Sequence, residues 1–415
     1  MSARMPAPAV VSRAVGRAPR ITRLTLGGER RPMLPRYAFL LGVTLFMTVF
    51  GLIMVLSSSS VTSHDGGGSL LGQFLKQGSF ALVGVPLMLI VSRIPTRTIR
   101  RAAWPLMLGA FALQLLVVAT PLGHGAFGNR NWLQLGSLPA IQPSEAIKLA
   151  MVIWLGMFFV KRRGRMGEWK YFLLPVVLVT GFGMFLVLLG DDLGTVMIMA
   201  LTLIGALFFG GVRLRHIGAV LAAGALVVLL FVVTSANRLS RIGSFLDPGT
   251  AGAASRWQTE NGNFALASGG IFGVGLGNSH SKWAWLPSAD TDFIFAIIGE
   301  ELGMIGAILV IILFALLIVA FLRIYHATPD PAGRVTTAAV MVWLIGQGFV
   351  NIAVVLGALP TLGVPLPLFS SGGTAMISSL LAIGIVLSYA REIPKGAADR
   401  PPARAGASHA GRLAR

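Results

Sequence analysis

Long apolar runs recur along almost the whole of this 415-residue chain, and they leave it very few architectures. About 20 apolar residues span a bilayer as a helix, and in hydrocarbon a helix satisfies its own backbone hydrogen bonds. Ten segments of spanning or near-spanning length can be drawn, at roughly Tyr37 to Ser57, Leu75 to Val91, Trp104 to Thr120, Ser144 to Val160, Tyr171 to Leu189, Leu193 to Phe209, Ile217 to Val233, Met304 to Leu322, Ala338 to Leu356 and Ser371 to Tyr389. Only 12% of residues are charged, about half the share of a soluble domain. The expected fold is an all-α integral membrane protein of ten transmembrane helices. The first run follows an Arg-rich tail and is longer than the core of a cleavable signal, so it reads as the first span.

The net charge of +19 suggests nucleic acid until the charges are placed. With both termini in the cytoplasm, most Lys and Arg fall in the two tails, at Arg93 to Arg101, at Lys161 to Lys170, and at Arg213, Arg215, Arg323 and Arg334. Lys76, Arg130, Lys148, Arg238, Arg241, Arg256 and Lys282 lie outside or just within the outer boundary. The positive-inside rule therefore predicts an even number of spans and cytoplasmic termini. No aromatic or Gly-rich binding pattern accompanies the charge, so nucleic acid is not an expected partner, and anionic lipid headgroups are a secondary one. The absence of cysteine excludes disulfides, thiol catalysis and Cys-based metal sites. Residues 1–36 and 392–415 carry too little apolar surface to offset ordering entropy and are expected to be disordered tails around a membrane domain at 37–391.

One outer connection stands apart. The loop at about 235–291, between the seventh and eighth spans, is too long to be a simple link. The apolar run after it, Phe293 to Leu322, measures about 45 Å as a straight helix against a hydrocarbon core of about 30 Å. Either that helix projects beyond the outer surface, or its first turns form a separate half-helix beneath the loop.

Four carboxylates sit at this point: Asp290, Asp292, Glu300 and Glu301. An ionised side chain at bilayer depth is costly unless paired or hydrated, so each is a candidate functional group. Asp292 precedes an unbroken apolar helix and could serve simply as its N-cap. Its neighbour Asp290 adds a second reading, because adjacent carboxylates at low dielectric repel, a setting that suits a general base near neutral pH. On a continuous helix Glu300 would lie about 80° around from Asp292 and Glu301 nearly opposite, so Glu300 and Glu301 are expected to pair or couple structurally rather than share one ligand.

Further polar groups gather nearby. In Gln142-Pro143-Ser144-Glu145-Ala146-Ile147-Lys148, Glu145 and Lys148 share a helix face and can form an internal ion pair. Alternatively Lys148 and Arg130 line a phosphate site. Asp191 and Asp192 fill a tight turn, where capping explains one and cation binding could use both. The long loop carries Arg241, Lys282 and a Gly-rich run from Gly269 to Gly277, which can serve an anion or a re-entrant turn. Gln347 and Asn351, four apart within the ninth span, suit interhelical hydrogen bonding.

Taken in order, Gly-x-x-x-Trp-Leu, Gln-Pro-Ser-Glu-x-x-Lys, Asp-Leu-Gly-Thr, Gly-Gly-x-x-Gly-x-Gly, Leu-Pro-x-x-x-Thr-Asp-Phe-Ile-Phe-Ala-x-x-Gly-Glu-Glu-Leu-Gly and a late Ser-Gly-Gly resemble the SEDS family of shape, elongation, division and sporulation proteins, over residues of about 37 to 391. The wording is closer to the division members than to the elongation members. The resemblance implies a peptidoglycan glycosyltransferase that polymerises lipid II outside the bacterial cytoplasmic membrane, at the division septum, with a class B penicillin-binding protein (an FtsI-like transpeptidase) and other divisome proteins as partners. The family's catalytic aspartate falls on Asp292, which would take the proton from the acceptor 4-hydroxyl as undecaprenyl pyrophosphate leaves with inversion. Arg130, Lys148, Arg241 or Lys282 would balance the leaving group, with Glu145 and Asp290 also at the substrate. The resemblance fixes no cofactor, although a divalent cation such as Mg²⁺ could assist. Asp290 stands where the family often has His, so it could share the proton. A lipid II flippase and a non-catalytic divisome scaffold are the competing functions, and a role in elongation instead of division is the alternative within the same chemistry.

Overall fold

The computed structural model describes residues 35–59, 72–126, 129–134, 136, 139–233, 243, 253–279 and 289–393. Both tails, apart from residues 35–36 and 392–393, and the loop residues Arg241 and Lys282 lie outside them. Besides a 3₁₀ turn at Arg163–Arg165 and a π-helical turn at Trp169–Leu173 that runs into the sixth α-helix, twelve α-helices and one small hairpin make up the described fold. In chain order they are α1 (Pro35–Ser59), α2 (Gly72–Val91), α3 (Thr96–Arg101), α4 (Ala103–Ala119), β1 (Gly123–Ala126), β2 (Asn129–Leu133), α5 (Pro143–Lys161), α6 (Leu174–Leu188), α7 (Leu193–Phe209), α8 (Leu214–Val233), α9 (Ala253–Ser268), α10 (Ile294–Ala327), α11 (Pro331–Val355) and α12 (Gly373–Arg391).

Among the described residues eight helical segments are long and apolar enough to cross a membrane. Two of the ten expected spans, α4 and α7, are apolar but only 17 residues each. Both are cut short by local chemistry. The β1–β2 hairpin begins directly beyond α4, and α7 starts at its Asp192 cap and ends at Gly210-Gly211. The expected long connection before α10 contains a helix of its own, α9, which packs on α10.

The centre of the bundle is α5 and α11. They pack on each other, with α4 against α5 and α7 against α11, while α12 packs on α2 and α1 on α10. Trp154 and Phe158 stack between them and the periphery, with ring centroids 4.9 Å apart. By contrast α8 contacts chiefly α7 and turns Leu226, Leu229 and Leu230 outward, as a lipid-facing helix does.

The overlong helix α10 is broken. Gly303 has φ 67° and ψ −163°, which divides Ile294–Ala327 into a short helix ending at Leu302 and a spanning helix from Met304. Breaking a helix at membrane depth frees backbone groups that must find partners. The Gly-rich turn supplies them: Val274 N–H donates to Glu300 O at 3.0 Å, Gly275 N–H to Glu301 O at 3.0 Å, and Met304 N–H to Gly270 O at 2.9 Å. Thus the half-helix alternative holds, and the glycines serve a chain crossing. A Cβ at Gly303 would strike Gly273 N and Ile271 O. Gly303→Ala is therefore expected to cost at least about 2 kcal/mol through positive φ and clash, seen as a lower melting temperature in detergent; an unchanged melting temperature would contradict the crossing.

Candidate functional site

Asp292 lies in the turns at 289–293, just before α10. The capping possibility is corrected: the N-cap is Phe293, with no side-chain capping bond, so Asp292 precedes the helix and its helical-wheel relation to Glu300 does not apply. What holds this stretch is the C-terminal part of the chain. Three successive carbonyls accept hydrogen bonds: Asp290 O from Ser371 N–H at 2.8 Å, Thr291 O from Ser370 Oγ at 2.5 Å, and Asp292 O from Asn351 Nδ2 at 2.7 Å. The donors come from α11 and from the segment at 356–372. Asp290 and Asp292 are both partly exposed, while Phe293 behind them is buried. Asp292 Oδ2 lies 3.8 Å from where a Cβ would stand on Gly363, which has φ 67°. That positive φ favours glycine at this position.

Deeper in the bundle is a charged network. Lys148 Nζ meets Glu145 Oε1 at 2.7 Å and donates to Gln347 Oε1 at 3.0 Å, and it lies 5.0 Å from the Trp343 ring centroid. Trp343 Nε1 donates to the same Gln347 oxygen at 3.0 Å, and Ser378 Oγ donates to Glu145 Oε2 at 2.7 Å. Lys148 and Glu145 are only 2% and 3% exposed. Such a pair persists out of water because hydrogen bonds from α11 and α12 satisfy its remaining atoms.

The family model described as cell cycle protein, covering FtsW, RodA and SpoVE, matches residues 37–394. The chain belongs to this family. It is 38% identical over 368 residues to the probable peptidoglycan glycosyltransferase FtsW of Mycobacterium tuberculosis, covering 89% of this chain and 70% of that one. The probable peptidoglycan glycosyltransferase FtsW of Coxiella burnetii is 36% identical over 362 residues, covering 86% and 96%. Among solved structures, a chain from work on the structural coordination of polymerization and crosslinking by a peptidoglycan synthase complex superposes with a TM-score of 0.69 at 26% identity, covering 85% of this chain and 96% of that one. The Rod shape determining protein RodA of Thermus thermophilus gives 0.63 at 25%, covering 86% and 97%. With its apolar helices, this SEDS-family chain is a multi-pass membrane protein.

The remaining candidate residues of this family member divide among different tasks. Arg130 does not join the Lys148 network. It is exposed on β2, its Nε and Nη2 donating to Gly123 O and Thr120 O, so it braces the hairpin. Glu300 accepts from Ser279 Oγ at 2.6 Å and Glu301 from Ser57 Oγ at 2.5 Å, and Gly277 N–H donates to Ser57 Oγ at 3.0 Å. The two glutamates thereby tie the Gly-rich turn and α1 to the break in α10. Ser378 is a partner that sequence reasoning did not single out, whereas Gln142 and Ser370 stand in or beside motifs marked in the sequence without a partner being assigned. A lone small polar residue in or beside an apolar helix has no pattern that marks it.

Asp192 caps α7 through Thr195 N–H at 2.9 Å; Thr195 Oγ1 donates to its Oδ2 at 2.7 Å, and Gln142 Nε2 lies 3.3 Å from that oxygen. Burial pushes its carboxyl above the usual carboxylate range, opposed in part by the Thr195 bonds and the Lys148 charge. A raised folded-state value means that the group's stabilisation is complete below the unfolded-state pKa and is lost as pH rises through the folded value. Wild type is therefore expected to lose stability relative to Asp192→Asn as pH rises above the ordinary carboxylate range of about 4, measured as paired melting curves in detergent. A difference that grows in favour of wild type over that range would contradict this.

Proposed function

We propose that this protein is a peptidoglycan glycosyltransferase of the division type, polymerising lipid II at the outer face of the bacterial cytoplasmic membrane with Asp292 as general base. The observation that carries the reading is a partly exposed carboxylate on a main chain held at three successive carbonyls. A base must be both accessible and fixed, and this one is. Its family membership and the names of its relatives support the reaction class.

In this reading ten spans, including the short α4 and α7, place both termini inside and the mouth at 289–293 outside. The acceptor 4-hydroxyl attacks the donor's anomeric carbon and gives its proton to Asp292. The bond to undecaprenyl pyrophosphate breaks on the opposite face, inverting the centre. Negative charge develops on the leaving pyrophosphate and needs cations. Exposed Arg130, with Arg241 and Lys282 of the outer loop, is better suited to this than Lys148, whose charge Glu145 already balances. Mg²⁺ is commonly held by one or two carboxylates plus substrate phosphates. No three His, Cys, Asp or Glu side chains gather as metal ligands among the described residues; an ion on the leaving pyrophosphate would be held by the substrate's phosphates and water, since Asp292 serves the acceptor on the opposite face. A bound Mg²⁺ would offset charge on the pyrophosphate. A class B, FtsI-like penicillin-binding protein at the septum would crosslink the product, a pairing favoured by the likeness to a peptidoglycan synthase complex chain.

The test is polymerisation of lipid II by the purified protein with its class B penicillin-binding protein, the latter's transpeptidase blocked. Glycan strands are the expected product. Lipid II translocated across vesicles without strands would instead establish the flippase, and neither activity would leave the scaffold.

A further inference from the structure

We infer that Asn351 is a positioning residue for Asp292, fixing from within the bundle the main chain that carries the base; this rests on the reading of Asp292 given above. Asn351 is 2% exposed on α11. Its Nδ2 spends both protons on carbonyls, Asp292 O at 2.7 Å and Val364 O at 2.8 Å. Those carbonyls fix the orientation of the amide, because a flipped Oδ1 would face two acceptors at contact distance. As placed, Oδ1 is buried with no hydrogen-bond partner among the described residues. An unmet acceptor is costly, so the site keeps an amide for the sake of its two donors.

The acceptors separate this from ordinary glue between spans. An interhelical bond joins two helices, whereas both partners of Asn351 are main-chain carbonyls of non-helical chain, that of Asp292 itself and that of Val364, next to Gly363. In the segment bearing Val364, Pro365 and Pro367 have no N–H to give, and the internal bonds centre on Leu366, whose N–H donates to Ser370 Oγ at 2.8 Å. One turn earlier on α11, Gln347 Nε2 donates to Pro365 O at 2.9 Å. Thus α11 acts as a post: Gln347 fixes the segment, and Asn351 fixes the same segment to Asp292. Gly363, against which the carboxylate rests, lies in the fixed stretch.

The experiment compares wild type, Asn351→Ala, Asn351→Asp and Asp292→Asn in steady-state lipid II polymerisation with the partner penicillin-binding protein, at matched folded fraction and matched complex. Displacing a reacting group by about 1 Å costs up to about 100-fold. Asn351→Ala is expected to lower kcat about 10- to 100-fold with KM changed less than about 3-fold. Asn351→Asp preserves the side-chain volume but lacks the pair of donors, so it is expected to be at least as slow, whereas a packing role would leave it near wild type. Wild-type kcat in either Asn351 variant, or a loss confined to KM, overturns the proposal while Asp292→Asn remains inactive. Full activity of Asp292→Asn overturns the base reading itself, and the positioning role with it.

Discussion

Asp292→Asn is expected to polymerise lipid II about 10²- to 10⁴-fold more slowly than wild type, the usual contribution of a positioned general base. The substitution keeps the side chain's size and leaves the backbone bonds to Asn351 and Ser370 intact. Folding, membrane insertion and partner binding are therefore expected to match wild type, and the loss should fall on kcat. Asp290→Asn is the control. Asp290 is also partly exposed, and its carbonyl is held by Ser371 N–H, but its side chain lies two residues from the assigned base. It is expected to retain activity within about 10-fold, as a carboxylate that tunes rather than accepts the proton. Strand length and initial rate on gels of labelled lipid II read both variants. If Asp290→Asn proved inactive and Asp292→Asn active, the base would be Asp290.

The second large effect concerns stability. Lys148→Met is expected to cost about 3–5 kcal/mol, because removing one member of a buried pair strands the other. Glu145 would keep its Ser378 bond but lose the ammonium at 2.7 Å, and Gln347 Oε1 would keep only Trp343. The double change Lys148→Met with Glu145→Gln is expected to recover much of the loss, since it removes the uncompensated charge. Melting in detergent by tryptophan fluorescence or by aggregation onset gives the comparison. Additive losses in the double variant would show that the two side chains act independently and would contradict the network. A variant that melts like wild type would contradict it too.

How much of this was legible beforehand depends on the range of the interaction. Apolar runs are local, so the helical membrane architecture could be drawn from the chain, apart from two spans cut short by a hairpin and by a capped turn. Glu145 and Lys148 are three apart on one helix, so their pairing is also a local matter. Excess length in the run after Asp292 required a projection or a break; the break falls at Gly303 because the Gly-rich turn, distant in sequence, supplies donors and acceptors to the freed backbone there. The N-cap assignment of Asp292 failed for the same reason. Local stereochemistry favoured a cap, but Ser371, Ser370 and Asn351 claim three carbonyls in a row and hold the chain in turns until Phe293.

By itself, then, the sequence determined the membrane class, the sidedness expected from its charges, the family, and which carboxylates merit chemistry, all of them properties of residue type and short spacing. Tertiary structure alone decided that Asp290 and Asp292 both stand on a braced main chain, that Arg130 serves the hairpin instead of the Lys148 network, and that Gln347 and Asn351 reach non-helical chain. At the mouth the meetings join partners far apart in sequence, Asn351 with Asp292 at 59 residues and Ser370 with Thr291 at 79. A buried donor takes whichever acceptor the packed helices bring within about 3 Å, and no local pattern encodes that meeting.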